Sequence, residues 1–221
     1  MFAINHAATA LLIRRRYREV RFVPILLSVQ AMELVWVALN YLGIERTTTE
    51  PVVRSVADIH LEFMPYSHSV ATMVSVAVLS WAIGTLLGKA RVGAAVGIGI
   101  VSHLLLDLAT HDGDIALAPS IGGPAYGTYL YSRLPAVAFL MELGFGLLCW
   151  WIYRGGKALL AIIVAFNLAN LSLFFESVPG PETLFAGRPA LLVTVILAQI
   201  VVTLAAVWWG AMYTSEPVRS G

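Results

Sequence analysis

The sequence has few charged residues and almost no cysteine. Only 12% of its 221 residues are charged, whereas soluble domains carry roughly 25%. The net charge is +1, so no strong field favours nucleic acid, and no nucleic-acid partner is expected. The single cysteine, Cys149, lies in an apolar run and can form no internal disulfide. What the chain has in excess is apolar residues, which make up 59% of it.

These apolar residues are concentrated in long runs, which predicts an all-α membrane protein. A helix needs about 20 apolar residues to cross the hydrocarbon core, and lipid offers irregular backbone no hydrogen-bond partners. We expect a single integral membrane domain over residues 1–221, a polytopic bundle of about six transmembrane helices. Segment 2–13 is too short to span alone and is expected to be a short N-terminal helix, at the interface or packed against the bundle. The expected spans are about 22–43, 70–88, 92–110, 134–153, 158–175 and 190–213.

Basic residues cluster on connections that six spans would place on one side. The clusters are the arginines of 14–21, the pair Lys89 and Arg91, and the pair Arg154 and Lys157. Cytoplasmic loops carry an excess of lysine and arginine. We therefore expect these connections and the C-terminus to be cytoplasmic, with the long loops facing outward.

Ionisable side chains inside the predicted spans mark candidate functional sites, because each costs about 2.5–3.5 kcal/mol at a helix centre. His103, Asp107 and His111 follow at intervals of four residues, which places them on one face of a helix. Imidazole and carboxylate groups on one stripe can bind a divalent metal such as zinc. A proton relay, a carboxylate that orients a histidine, or a purely structural pair are the alternatives.

Further polar groups lie in the first two spans and near the start of the chain. Glu33 is predicted at the depth of His103. It is either part of the same site or a protonated carboxyl bonded to a neighbouring helix. His68, between two serines where the second span begins, is either a ligand or an interfacial residue beside a helix cap. His6 is likewise a ligand or an interfacial histidine.

Two more carboxylates complete the candidate set. Glu142, in the fourth predicted span, comes out at the depth of Glu33. The interpretations are an unligated catalytic carboxylate or a structural partner of another polar group. Asp114 lies in the long connection 111–133, and long outward loops are commonly lids or binding loops. It is either a solvated turn residue or part of the site.

The order of these motifs resembles a known family. An N-terminal histidine, QAMELVW, PYSHS, HLLLD and then TH with a Pro-containing loop are similar to bacterial inner-membrane metal-dependent hydrolases of the YdjM-like family. The resemblance covers about residues 4–142, and the family is distantly similar to zinc-dependent phospholipase C and single-strand nucleases. It implies an inner (plasma) membrane location and a divalent metal cofactor, zinc first of all. The implied ligands are His6, Glu33, His68, His103 and Asp107, with His111 as an addition.

Two functions are therefore expected, and they differ in class. The first is a membrane-bound metal-dependent hydrolase of a phosphoester or ester, lipids included, with its site in the outer half of the bilayer. Its metal would lower the pKa of bound water to about 7, and Glu142 or Asp114 would act as general base. The second is a proton- or metal-ion-coupled transporter or permease that uses the same buried groups. The expected partners are membrane lipids and a small-molecule or lipid substrate, and a homodimer is compatible with both.

Overall fold

The structure is a computed structural model that describes residues 1–119 and 125–213. The predicted all-α class is confirmed, because helices dominate the described residues. A two-stranded antiparallel hairpin, β1 (Arg46–Thr49) and β2 (Ile59–Phe63), lies in a connection that was expected to be a loop. The predicted cytoplasmic C-terminus, residues 214–221, lies outside the described residues. The helices are α1 (Ala3–Arg16), α2 (Phe22–Ser28), α3 (Ala31–Tyr41), α4 (Val70–Leu86), α5 (Ala90–Leu108), α6 (Leu130–Arg133), α7 (Pro135–Tyr153), α8 (Lys157–Leu168) and α9 (Pro189–Tyr213).

Three helices, α5, α7 and α9, are each long and apolar enough to cross a membrane. The pair α2 and α3 qualifies as a fourth crossing if it is counted as one span. The apolar helices α4 and α8 are shorter. By length and composition the described chain therefore has three candidate spans, or four with the bent pair, and the predicted count of six is not shown.

The predicted first span, 22–43, is not one continuous helix. It is bent by 51° between α2 and α3, where Val29 and Gln30 leave the helical path. Gln30 lies at the break, and its Nε2 donates a hydrogen bond to the carbonyl oxygen of Ala3 at 2.9 Å. The bend therefore coincides with a contact near the start of α1 that local sequence does not reveal.

Helix α1 lies in the centre of the bundle rather than at its surface. Its residues from Ile4 to Leu11 are all buried, and it contacts α2, α5, α7, α8 and α9. Ala7, Ala8 and Ala10 have small side chains, which let neighbouring helices approach closely. Of the two placements expected for this segment, packing against the bundle is the one observed.

Helices α4 and α5 form a tight hairpin. Gly88 ends α4 with φ of +68°, a left-handed conformation that favours glycine at a helix C-terminus. A Cβ on Gly93 would lie 2.6 Å from the carbonyl oxygen of Ser80, and one on Gly84 would lie 2.7 Å from the Cα of Gly93. Only glycine permits this spacing, so these positions fix α5, which carries His103 and Asp107, against α4.

Candidate metal centre

The carboxylate of Asp107 lies among the buried histidines and faces them with both oxygens. On one side, Oδ2 lies 3.0 Å from Nε2 of His103 and 3.8 Å from Nε2 of His68. Glu33 completes this side, because its Oε2 lies 3.2 Å from Nε2 of His68 and 3.7 Å from Nε2 of His103. The two histidine nitrogens are 3.3 Å apart. Four side chains from three segments of the chain thus converge on one point.

The other oxygen of Asp107, Oδ1, faces two more histidines. Nε2 of His6 lies 3.0 Å from it and Nε2 of His111 lies 3.6 Å from it. The amino nitrogen of Met1 lies 2.7 Å from the same oxygen. The ring of His6 also stacks on that of His103, with centroids 4.0 Å apart. The structure therefore brings together all six residues predicted as metal ligands, while their role as ligands stays a prediction.

The tautomer of His103 follows from its second ring nitrogen. Nδ1 lies 2.8 Å from the carbonyl oxygen of Val29, which is exposed by the break between α2 and α3. A carbonyl oxygen can only accept a hydrogen bond, so Nδ1 of His103 carries the hydrogen. A neutral imidazole has one N–H group, and Nε2 therefore presents its lone pair to the carboxylates of Asp107 and Glu33.

A chain of hydrogen bonds from Glu45 through Ser67, called here the Glu45–Ser67–His68 relay, orients His68. The carboxylate of Glu45 accepts hydrogen bonds from Oγ of Ser67 at 2.6 Å and from the backbone N–H groups of Tyr66 and Ser67 at 2.9 and 2.8 Å. Because the Ser67 hydroxyl hydrogen is used on Glu45, its oxygen accepts the bond from Nδ1 of His68, 2.7 Å away. Nε2 of His68 is then the free ligand atom, as in metal sites where an outer partner fixes the ligating histidine.

With these tautomers, four electron-pair donors face one another without a hydrogen between them. They are Oε2 of Glu33, Nε2 of His68, Nε2 of His103 and Oδ2 of Asp107. Asp107 Oδ2 is buried and has no hydrogen-bond partner among the described residues. A buried polar group left in this way is costly. A cation at the centre, either a metal ion or protons on the histidines, removes that cost.

The spacing of the ligand atoms suits a tetrahedral metal with one open position. Glu33, His68 and His103 form one group that could hold a metal ion, and His6, His103 and Asp107 form a second, overlapping group. In the first group the ligand atoms are 3.2, 3.3 and 3.7 Å apart. Zinc binds oxygen and nitrogen at about 2.0–2.2 Å, which places neighbouring tetrahedral ligands about 3.3–3.6 Å apart. Glu33, His68 and His103 therefore fit a zinc-sized ion with little movement of the side chains, and they leave the fourth position to a water.

Asp114 lies next to the cluster, beside His111. Its Oδ2 is 3.4 Å from Nδ1 of His111, and its buried Oδ1 has no hydrogen-bond partner among the described residues. Burial lowers the pKa of His111 and the Met1 amino group lowers it further, but Asp107 and Asp114 together outweigh them and raise it. Asp114 thus combines a nearby histidine with a free carboxylate oxygen.

Glu142 lies apart from the cluster. Its carboxylate accepts hydrogen bonds from the hydroxyl of Tyr131, from Nδ2 of Asn5 and from the backbone N–H of Phe2. Burial, together with the Glu142 carboxylate, raises the pKa of the Tyr131 hydroxyl well above its usual value. Since donors engage both of its oxygens, Glu142 is placed to anchor the start of α1. Its catalytic role stays a prediction that this geometry does not favour.

A cavity of about 750 Å³ opens beside the cluster, a volume typical of small-molecule sites. His6, Glu33, His111 and Asp114 line it. Glu33 keeps 25% of its side chain exposed, so a molecule in the cavity reaches the ligand set from this side.

Sequence reasoning missed Glu45 and assigned no definite role to Ser67. Glu45 lies in the connection that follows the first predicted span, yet it is only 2% exposed. Of the two serines beside His68, Ser69 is the helix cap and accepts the N–H of Thr72 at 3.3 Å. The other, Ser67, is free to orient the histidine. The SHS triplet was the available signal, but nothing near Glu45 indicated that the chain turns back onto it.

The assignment of a metal centre rests on the geometry of this chain alone. The resemblance to YdjM-like hydrolases stays a prediction from the order of motifs. No protein-family model, no curated protein and no solved structure matches the chain.

Proposed function

We propose that the chain is a membrane-bound metal-dependent hydrolase that acts on a phosphoester or ester. The observation that carries the proposal is the convergence of the side chains of Glu33, His68, His103 and Asp107 in one buried cluster beside an open cavity. A divalent metal at that point, zinc by ligand type and spacing, would lower the pKa of a bound water to about 7. A buried cluster of this kind is expensive in a membrane protein, which favours a functional role over a structural one.

The role proposed for each side chain follows from its position in the site. Glu33, His68 and His103 would hold the metal beside Asp107, while Val29, Ser67 and Glu45 keep the two histidines in the ligating tautomer. Asp114 lines the cavity and would act as general base. The water oxygen bonds to the phosphorus or acyl carbon, and the ester oxygen leaves. The proton taken up by Asp114 returns to that oxygen, which gives an alcohol and an acid.

For the membrane arrangement we propose six crossings with the metal centre in the outer half of the bilayer. Helix α4, with 17 residues, is about 25 Å long and packs along α5, a candidate span. Three basic clusters meet at one end of the bundle. Arg91 pairs with Glu19, and Arg15 donates to the carbonyl oxygen of Ile152. By the positive-inside rule this end is cytoplasmic in an inner membrane, and an even number of crossings places the C-terminus there too.

Metal analysis of the purified protein in detergent tests the metal centre. The wild type is expected to retain about one zinc per chain after dialysis, and Asp107→Ala is expected to lose it. Asp112→Asn is the matched control, since Asp112 accepts a hydrogen bond from Ser132 at 2.7 Å outside the ligand set. Wild-type protein that binds no divalent metal at pH 7.5 would overturn the proposal.

Hydrolysis of bis(p-nitrophenyl) phosphate and p-nitrophenyl butyrate tests the reaction. Turnover of either probe should require zinc, stop on chelation and be abolished in His103→Ala. Turnover that survives both chelation and His103→Ala belongs to a contaminant and contradicts the assignment.

One observation favours ion transport as a second candidate. The bend of 51° between α2 and α3 presents the Val29 carbonyl to the cluster, and broken helices line the ion sites of many transporters. Uptake of zinc or protons by liposomes that contain the wild type, lost in Asp107→Ala and without hydrolysis of either probe, would establish this function instead.

A further inference from the structure

The cavity beside the metal centre is polar at one end and apolar at the other. The polar end is formed by connecting segments and carries His60, Glu62 and Asp112. The apolar end is formed by Phe166 of α8 and by a stripe of α9 that includes Val202. A water-soluble substrate would need only the polar end, whereas an amphiphile matches both.

The apolar end reaches the outer surface of the bundle. Four cavity-lining residues there are exposed: Ala169, just past the end of α8, and Val195, Ala198 and Val202 on α9. Val202 keeps 55% of its side chain exposed. Since α9 is long and apolar enough to cross a membrane, hydrocarbon is the medium that this opening meets.

Two amide side chains near the opening are hydrogen-bonded within the protein. Nε2 of Gln199 donates to Oδ1 of Asn170 at 2.9 Å, and Nδ2 of Asn170 donates to the carbonyl oxygen of Phe166 at 2.8 Å. The amide groups therefore demand little water from the cavity. A hydrocarbon chain can lie along this wall without breaking either of these hydrogen bonds.

We propose that the substrate is a membrane lipid whose hydrocarbon chain enters between α8 and α9 and lies along α9, with its ester or phosphoester linkage at the metal centre. This inference deepens the proposed hydrolase and rests on it for the fate of the linkage. The binding of the lipid itself rests on the cavity and its opening.

Photolabelling tests lipid entry without requiring hydrolysis. The probe is phosphatidylglycerol with a diazirine in one acyl chain, in phosphatidylcholine vesicles that contain the full chain. Trp36 and Leu192 line the cavity and are only 2% and 3% exposed, so label on them reports lipid inside the bundle. Ala198→Trp, which blocks the opening, should lower this internal labelling by about tenfold.

Ala205→Trp is the matched control. Ala205 is exposed on the same face of α9, seven residues from Ala198, and it is absent from the residues that line the cavity. It should leave the internal labelling unchanged, and label on the exposed Leu86 should be the same in all variants.

The outcomes separate the two proposals. Internal label that Ala198→Trp removes, with no hydrolysis of any probe, supports the lipid site and contradicts the hydrolase. Hydrolysis of bis(p-nitrophenyl) phosphate without internal label supports the hydrolase and overturns the lipid inference. Internal labelling that persists at full strength in Ala198→Trp also overturns the proposed opening.

Discussion

The carbonyl oxygen of Val29 lies 2.8 Å from Nδ1 of His103, across the break between α2 and α3. In an unbroken helix that oxygen would accept the N–H group four residues later and would not be available to a side chain. The bend in the first apolar segment therefore also determines the tautomer of the buried His103. Through it, the path of the backbone decides which nitrogen faces the cluster.

We predict that His103 carries its hydrogen on Nδ1 in the metal-free protein near neutral pH. Nitrogen-15 spectra of histidine-labelled protein in nanodiscs distinguish the two tautomers by the shifts of the ring nitrogens. Comparison with His103→Gln assigns the signal. An Nδ1 that carries no hydrogen would remove the argument that Nε2 is the ligand atom.

Ser67→Ala is expected to weaken zinc binding by about 10–100-fold, because His68 loses the oxygen that fixes its orientation. Ser69→Ala should leave zinc affinity unchanged and cost about 1 kcal/mol of stability through the lost helix cap. Competition with a chromophoric chelator gives the affinities, and thermal unfolding gives the stabilities. Equal zinc affinity in the two variants would show that the Glu45–Ser67–His68 relay has no influence on the site.

Asp114→Asn should lower kcat by about 10²–10⁴-fold while zinc content stays unchanged, because a general base contributes that much to rate. Glu142→Gln should retain both zinc and turnover and lose about 1–3 kcal/mol of stability, since one of the donors around it is left unpaired. Turnover of bis(p-nitrophenyl) phosphate, with zinc content measured on the same preparations, decides between the two carboxylates. Loss of turnover in Glu142→Gln alone would assign the base to Glu142.

The spacing of residues in the sequence predicts some members of the candidate site, but not others. His103 and Asp107 share a face of α5 by simple periodicity, and the cost of burying them marked them as a site. His111 was predicted on the same helix face, but α5 ends at Leu108 and His111 reaches Asp107 from the turn that follows. The central position of α1 was not predictable, because a short apolar segment followed by arginines looks the same at an interface or inside a bundle. Glu45 and Gln30 owe their burial to contacts far along the chain, which no local pattern encodes.

Gly93→Ala is expected to destabilise the protein by about 1–3 kcal/mol, because the added Cβ would overlap the Ser80 carbonyl and force α4 and α5 apart. Gly144→Ala is the control. A Cβ there meets nothing within 4 Å, and replacing glycine by alanine inside a helix stabilises it by up to about 1 kcal/mol. Thermal unfolding of both variants in detergent measures the difference. Similar unfolding temperatures would mean that the hairpin tolerates separation.

The burial of α1 affects the order in which the helices can pack together during synthesis of the chain. Helix α1 leaves the ribosome before the other described helices, yet three of its neighbours, α7, α8 and α9, leave last. The packing around α1 is therefore complete only after α9 has been synthesised. All six candidate ligands precede α6, so a nascent chain stalled before α9 already carries them but lacks a helix that packs against α1.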